Sequence, residues 1–149
     1  MYRRYHYLSS NLSTSARCYE ATLNAKPVAF IGVLHQPGKI TNMKRTTRLV
    51  VLPDYQGIGI GYALQTYIAQ YYAKHGFVYH VITSARNFIL RLAKSKDWRL
   101  TDWTLQPPDR KRKTVQDRKT AVYKYVGEGH VHSKQPSKLK MRNTRIKRK

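Results

Sequence analysis

Cysteine is nearly absent from this chain, which contains one, Cys18, among 149 residues. One thiol cannot form an intramolecular disulfide, and it is too few for a multi-cysteine zinc site. His130 and His132 resemble a pair of metal ligands, but two imidazoles without a carboxylate or thiolate beside them are too few to hold an ion. The sequence therefore predicts neither a disulfide nor a metal site.

Acidic residues are also scarce, with 7 Asp and Glu against 29 Lys and Arg, which gives a formal net charge of +22. Repulsion of that size opposes compaction and favours a polyanionic partner that neutralises it. DNA and RNA, including tRNA, meet this requirement. A membrane surface fits less well, because the sequence has no basic amphipathic helix and no lipidation signal.

Long apolar runs are missing as well. No stretch reaches ~18 apolar residues and no signal-peptide core is visible, so we expect a cytoplasmic protein without a membrane partner. Hydrophobic residues still make up 41% of the chain, enough for the core of one domain, which we assign to residues 1–126. Residues 127–149 form a basic tail that we expect to be disordered and to bind nucleic acid.

A glycine-rich stretch from Arg48 to Gly61 organises the rest of the chain. An apolar strand runs into a turn, and glycines at alternate positions then open a helix. Free backbone N–H groups at a helix start, together with the missing side chains, suit the binding of a phosphate group. The spacing matches neither a P-loop, which needs Lys and Ser or Thr after its last glycine, nor a Rossmann turn.

The segment Gln56-x-x-Gly59-x-Gly61 resembles the Gln/Arg-x-x-Gly-x-Gly/Ala signature of the GNAT superfamily of N-acetyltransferases. The preceding Val50-Val51-Leu52-Pro53-Asp54-Tyr55 also resembles the usual lead-in of that family. The resemblance covers roughly residues 5–126 and implies an α/β fold with a mixed sheet.

The order of apolar segments agrees with the later part of a GNAT fold. We predict a hairpin of strands Arg17–Leu23 and Lys26–His35, a loop over Gln36–Arg45, a strand Thr46–Leu52, a helix from Ile60 ending at Gly76, a strand Phe77–Thr83, a helix Ser84–Lys96, an edge strand Trp98–Trp103 and a last strand Ala121–Val126. The first helix should connect two parallel strands. Fewer than twenty residues precede the hairpin, where GNATs have a further strand and helices, so we expect a compact variant or an acceptor site completed by a second copy or a partner protein.

The resemblance implies acetyl-CoA or another acyl-CoA as the donor. Its pantetheine arm should lie along the strand and its pyrophosphate at the glycine turn. The implied cofactor residues are Leu49, Val50, Val51, Leu52, Gln56, Gly57, Ile58, Gly59, Ile60, Gly61 and Asn87.

The catalytic groups are less well marked. Many GNATs protonate the departing thiolate with a Tyr on the second helix, and here Leu92 and Lys94 stand near its place. Glu20 is the acid left for a base once those in the cofactor turn, after the second helix and in the tail are set aside. His80, inside an apolar strand, is predicted to be a core residue bonded to backbone, with the substrate gap as the alternative.

Near the start of the chain, His6-Tyr7-Leu8-Ser9 lies in an aromatic stretch, and Arg17-Cys18-Tyr19-x-Ala21 follows on the first strand. This pair of segments resembles, less specifically, the front end of Mom-like GNATs of phages and mobile elements, which modify adenine in DNA. That resemblance adds His6, Tyr7 and Ser9 as candidate catalytic residues, and it implies a bacterial or phage-infected cell. The alternative for His6 is a surface position in an aromatic turn, and for Ser9 it is a structural role. Tyr7 could instead be a core residue or stack on a base.

Basic residues at both ends of the chain are the predicted nucleic-acid contacts. They are Arg3, Arg4, Arg110, Lys111, Arg112, Lys113, Lys138, Lys140, Arg142, Arg145, Lys147, Arg148 and Lys149. We therefore predict an acyl-CoA-dependent GNAT that acts on DNA or tRNA. The alternatives are a protein N-acetyltransferase acting on a ribosomal or DNA-bound protein, and a catalytically inactive nucleic-acid-binding module of GNAT fold.

Overall fold

The computed structural model describes residues 15–36, 40–105 and 119–130. It contains strands β1 (Arg17–Leu23), β2 (Lys26–His35), β3 (Met43–Val51), β4 (Val78–Thr83), β5 (Trp98–Leu105) and β6 (Lys119–Tyr125), helices α1 (Ile60–Lys74) and α2 (Arg86–Ala93), and a 3-10 turn at Pro53–Tyr55. The mixed α/β class predicted from the sequence is confirmed. None of the helices in these ranges is long and apolar enough to cross a membrane.

The hairpin of β1 and β2 has the predicted bounds. Asn24 and Ala25 form its turn with φ of 49° and 60°. Two consecutive left-handed residues match the right-handed twist of the flanking strands, which is why such turns close hairpins. Asn tolerates this conformation better than most residues, so Asn24 was the informative signal.

The six strands form one sheet in the order β1-β2-β3-β4-β6-β5. β1, β2 and β3 are antiparallel neighbours, and β3 is parallel to β4 across α1. β6 lies antiparallel between β4 and β5, so β5 occupies the predicted edge. The parallel connection through α1 is confirmed.

Most of the later elements differ from the prediction by one or two residues at an end, and β3 and α2 differ by more. β3 begins at Met43 rather than Thr46, because Met43, Lys44 and Arg45 pair with the start of β4, a long-range contact that local sequence does not encode. α2 is shorter than Ser84–Lys96. At its start the hydroxyl of Thr83 accepts the N–H of Ala85 at 3.1 Å, and after its end that of Ser95 accepts the N–H of Asp97 at 3.1 Å.

Both helices pack on one face of the sheet, which we call the helix-covered face. Its core contains Ile31, Val33, Tyr79, Val81 and Tyr123 from the strands, together with residues of both helices and aromatic side chains of β5 and β6. The opposite face, on which none of the described helices packs, is called the helix-free face. Alternate residues of each strand therefore have different surroundings.

Candidate active site

The parallel strands β3 and β4 separate in the middle of the sheet. They pair at Met43–Val78, Lys44–Tyr79 and Arg45–His80. β3 then continues to Val51 and β4 to Thr83 without another pair between these two described strands. The facing backbone N–H and C=O groups of the separated segments are free to bond an elongated ligand.

A bulge in β3 lies beside the point of separation. Arg48 is opposite Gly32 of β2 and Thr46 is opposite Val33, which leaves Thr47 as an extra residue. The hydroxyl of Thr47 donates to the carbonyl of Gly32 at 3.1 Å. A bulge bends its strand and increases the local twist, which directs β3 away from β4. Gly32 inside an apolar strand was the available sequence signal.

A buried polar network joins α1, β3 and β4 just beyond the last strand pair. The Nε2 of Gln65 donates to the hydroxyl of Thr46 at 2.8 Å, and the hydroxyls of Thr46 and Tyr79 are 2.9 Å apart. Gln65 is completely buried. Burial raises the pKa of the Tyr79 phenol well above its usual value, so the phenol stays protonated. The network fixes the three elements where the gap opens.

The turn between β3 and α1 depends on glycine. Gly57 and Gly59 have φ of 82° and 93°, a region that residues with a Cβ rarely adopt. At Gly61 a Cβ would lie 3.2 Å from Cγ2 of Val51, so the missing side chain lets α1 lie close against β3. Gln56 completes the turn by donating its Nε2–H to the carbonyl of Val51 at 2.9 Å.

The start of α1 presents unpaired backbone donors to this turn. The first intrahelical bond runs from the N–H of Ala63 to the carbonyl of Gly59 at 3.0 Å. The N–H groups of Ile60, Gly61 and Tyr62 precede it, no side chain caps them, and no acidic residue is in the first turn. Free donors and the positive end of the helix dipole make this an anion site.

A cavity of about 740 Å³ connects the strand gap with the helix start. Of the predicted cofactor residues, Leu49, Val51, Asn87 and all six from Gln56 to Gly61 line it. Val50 and Leu52 do not. Val50 is opposite Phe30, whose neighbour Ile31 faces the helices, so it lies on the helix-free face, and Leu52 is buried.

Sequence reasoning missed several residues of the cavity wall. Thr46, Tyr62, Gln65, Phe88 and Arg91 line it. The guanidinium of Arg91 lies 4.9 Å from the ring centroid of Tyr62, whose hydroxyl is 2.6 Å from Oγ of Ser95. Arg91 follows Asn87 by four residues, so both lie on one side of α2; that spacing was the signal for a cation beside the anion site.

Of the predicted catalytic residues, only Glu20 is among the described residues, and it does not line the cavity. Glu20 is exposed on β1, opposite Phe30, and two strand positions from β3. His6, Tyr7 and Ser9 lie outside the described residues. So do the predicted nucleic-acid contacts Arg3, Arg4, Arg110, Lys111, Arg112, Lys113, Lys138, Lys140, Arg142, Arg145, Lys147, Arg148 and Lys149.

His80 stands at the apex of the gap, opposite Arg45. Its neighbours Tyr79 and Val81 face the helices, so His80 lies on the helix-free face. Burial, with a smaller contribution from the Lys124 ammonium, lowers the pKa of His80 to about 4, and its buried Nε2 has no hydrogen-bond partner. The bond to backbone that the sequence suggested is absent at this atom, and a neutral imidazole remains there at neutral pH.

Comparisons with known proteins point to one family. The family model described as an acetyltransferase (GNAT) domain matches residues 14–93. No curated protein sequence matches the chain.

Solved structures share the fold. An IAA acetyltransferase from Bacillus cereus superposes with a TM-score of 0.59 at 15% identity, over 74% of this chain and 77% of its own. The ribosomal-protein-S18-alanine N-acetyltransferase of Escherichia coli gives 0.57 at 18%, over 81% and 77%. A GNAT family acetyltransferase from Elizabethkingia anophelis with acetyl-CoA bound gives 0.58 at 16%, over 75% and 76%.

Proposed function

Because this chain belongs to the GNAT acetyltransferase family, we propose that it transfers an acyl group from acyl-CoA to an amine carried by a nucleic acid. The assignment of acyl-CoA as the donor rests on the separated strands that lead to the glycine turn and on the open start of α1. The assignment of a nucleic acid as the acceptor rests on the formal net charge of +22.

The residues of the cavity fit an acyl-CoA ligand. Unpaired backbone groups of β3 suit a pantetheine amide chain, and the N–H groups of Ile60, Gly61 and Tyr62 suit a pyrophosphate. Arg91 adds a cation on the opposite wall. When bound, acyl-CoA would supply a thioester carbonyl. The amine nitrogen forms the new C–N bond, the C–S bond breaks, and the proton lost by the amine balances the one that the departing thiolate takes up to become the CoA thiol.

The chain itself contributes binding and orientation. The fixed network around Gln65 keeps the gap open before a ligand arrives, which reduces the cost of ordering it on binding. His80 lies at the apex of the gap, where its neutral imidazole can form a hydrogen bond with the acceptor amine, and a pKa of about 4 makes it a weak base. Glu20, His6, Tyr7 and Ser9 stay alternative candidates for groups that act on the acceptor.

A nucleic-acid acceptor is supported by the excess of cations over what solubility requires. The basic cluster Arg110 to Lys113 and the tail 127–149 would add phosphate contacts that do not depend on sequence. The sharpest form of the proposal is Mom-like modification of adenine in DNA, and acylation of tRNA is the close second. Both forms use the same donor site and differ in the acceptor.

The deciding measurement is mass spectrometry of nucleosides from cells that express the full chain. We expect a new acylated nucleoside, and we expect it to disappear in Gly59→Glu, where a carboxylate in the turn repels the pyrophosphate. Acetylated protein lysines or N-termini with unchanged nucleosides would instead support a protein acceptor. If neither product forms and the chain still binds nucleic acid, it is an inactive binding module.

Donor binding is tested separately by thermal unfolding. At a concentration near 100 times Kd, acetyl-CoA should stabilise the protein by ~2.7 kcal/mol. This predicts a clear increase in Tm for the unmodified chain. An unchanged Tm at saturating acetyl-CoA would reject the donor site.

A further inference from the structure

A row of basic residues crosses four strands of the sheet. Arg45 of β3 is opposite His80 of β4, His80 is opposite Lys124 of β6, and Lys124 is opposite Arg99 of β5. We call these four residues the cationic row. Three inter-strand spacings separate its ends, a distance of ~14 Å.

The cationic row lies on the helix-free face. The residues that follow or precede its members along the strands, Tyr79, Tyr123, Tyr125 and Trp98, belong to the core beneath the helices. Side chains alternate between the faces of a sheet, so the row points the other way. Arg99 is exposed, while Arg45 and Lys124 are half-buried.

Within residues 15–36, 40–105 and 119–130, no ion pair joins a carboxylate to a member of this row. Lys74 and Glu128 form an ion pair at 3.3 Å, and it lies away from the row. Asp97 precedes β5 by one residue, and Asp102 lies within β5 opposite Val122, on the same face as Lys124. The Oδ1 of Asp102 accepts the N–H of Trp103 at 2.7 Å. Like charges on directly opposite strand residues destabilise a sheet, so Lys124 and Arg99 oppose folding unless an anion binds them.

Three nitrogen atoms around the row are buried without a hydrogen-bond partner among the described residues. They are Nε of Arg45, Nη1 of Arg48 and Nε2 of His80. A buried polar atom left unpaired costs ~1–3 kcal/mol, and more when it is charged. An unpaired buried atom of this kind is explained where a bound ligand supplies the missing partner.

Arg48 connects the row with the strand gap. It lies opposite Gly32, which has no side chain to compete for the space, and it lines the cavity. The cationic surface of the helix-free face is therefore continuous with the opening between β3 and β4.

We propose that the cationic row binds the phosphodiester backbone of the acceptor nucleic acid and holds it across the helix-free face beside the strand gap. This inference rests on the proposed function, because it adds the acceptor seat to the same site. The donor enters from the glycine turn on the helix-covered side, and the target base reaches the gap past Arg48 from the other side. Phosphate contacts of this kind position a strand without reading its sequence.

The test compares two double variants of the full chain that remove equal charge. Arg99→Gln with Lys124→Gln removes two members of the row, the exposed Arg99 and the half-buried Lys124. Lys26→Gln with Lys96→Gln removes two exposed cations elsewhere. Binding of a labelled single-stranded oligonucleotide is measured by fluorescence anisotropy over a series of salt concentrations.

We expect the row variant to bind more weakly and to reduce the slope of log K against log salt by ~1.4, or ~0.7 for each of two lost phosphate contacts. The control variant should keep the slope of the unmodified chain. Tm of the row variant should be equal or higher, since two like charges that face each other are removed. Both variants should keep the increase in Tm with acetyl-CoA.

Three results would overturn the proposal. One is an equal slope for the row variant and the unmodified chain. Another is an equal loss of slope in the control variant. The third is that polyglutamate displaces the oligonucleotide, and that the row variant weakens polyglutamate binding as much as it weakens oligonucleotide binding. This result would assign the row to acidic proteins. The proposed function fails differently, through unchanged nucleosides, and it survives an unchanged slope.

Discussion

The helix-covered and helix-free faces of the sheet are built from alternate residues of the same strands. They differ in whether their buried polar side chains have hydrogen-bond partners. On the covered face, the polar side chains of Thr46, Gln65 and Tyr79 are buried and bonded to one another. On the free face, Arg45 and His80 keep buried nitrogen atoms without a partner. The first arrangement stabilises a fixed opening, whereas the second leaves binding capacity for a ligand.

The largest expected effect is on donor binding. Gly59→Ala puts a Cβ at φ 93° in the anion site, and Gly76→Ala puts one at φ 83° after α1. Both variants therefore introduce a similar backbone strain of ~1–2 kcal/mol. We expect Gly59→Ala to weaken acetyl-CoA binding by ~100-fold, the loss of one or two charge-assisted bonds, and Gly76→Ala to leave it intact. Calorimetric titration measures both, and equal losses would refute a specific role for the turn.

The next effect concerns the buried network. Gln65→Leu removes the partner of Thr46 and should lower the free energy of unfolding by ~1–3 kcal/mol. Gln70→Leu on the same helix removes an exposed bond to Glu128 and should change it by less than ~0.5 kcal/mol. Urea unfolding gives both values. Equal stability of the two variants would show that the network does not fix the gap.

A smaller effect is expected at the cation on the cavity wall. Arg91→Gln should raise KM for acetyl-CoA by ~3–10-fold with little change in kcat, because it removes a phosphate contact that is equal in the ground and transition states. Arg86→Gln on the same helix is the control, since Arg86 does not line the cavity. A similar KM for both variants would contradict the assignment.

The smallest effect near neutral pH belongs to His80 on the free face. Its pKa in the folded protein is about 4 against an ordinary value of 6.5, so the unfolded chain binds a proton first as pH falls. Stability is therefore complete above pH 6.5 and decreases between roughly pH 6.5 and pH 4. His80→Asn should remove this part of the pH dependence in urea unfolding; an unchanged profile would show that His80 is not the group responsible.

Much of the helix-covered side could be predicted from the sequence. The turn at Asn24, the spacing Gln56-x-x-Gly59-x-Gly61 and the helix ending before Gly76 are local signals, because each depends on backbone conformations that few residues adopt. The family they indicate and its mixed sheet are confirmed. The cofactor residues inferred from that family stay predictions, although most of them line one cavity.

The helix-free side could not be predicted in the same way. Arg45, His80, Lys124 and Arg99 are far apart in sequence, and only the strand register aligns them. The same is true of the three pairs that move the start of β3 to Met43. The division at residue 126 stays a prediction, with Glu128 bonded to Gln70 of α1 at 2.7 Å.

The separation of β3 from β4 has a consequence for solubility. A six-stranded sheet ordinarily has two edges, but this sheet has a second pair of open strand edges in its interior, where β3 and β4 diverge beyond Arg45 and His80. Unpaired strand edges are templates for the addition of another chain and for aggregation. We therefore expect a ligand in the gap to act as a protective covering for these edges, so that the protein remains in solution longest when its donor is bound.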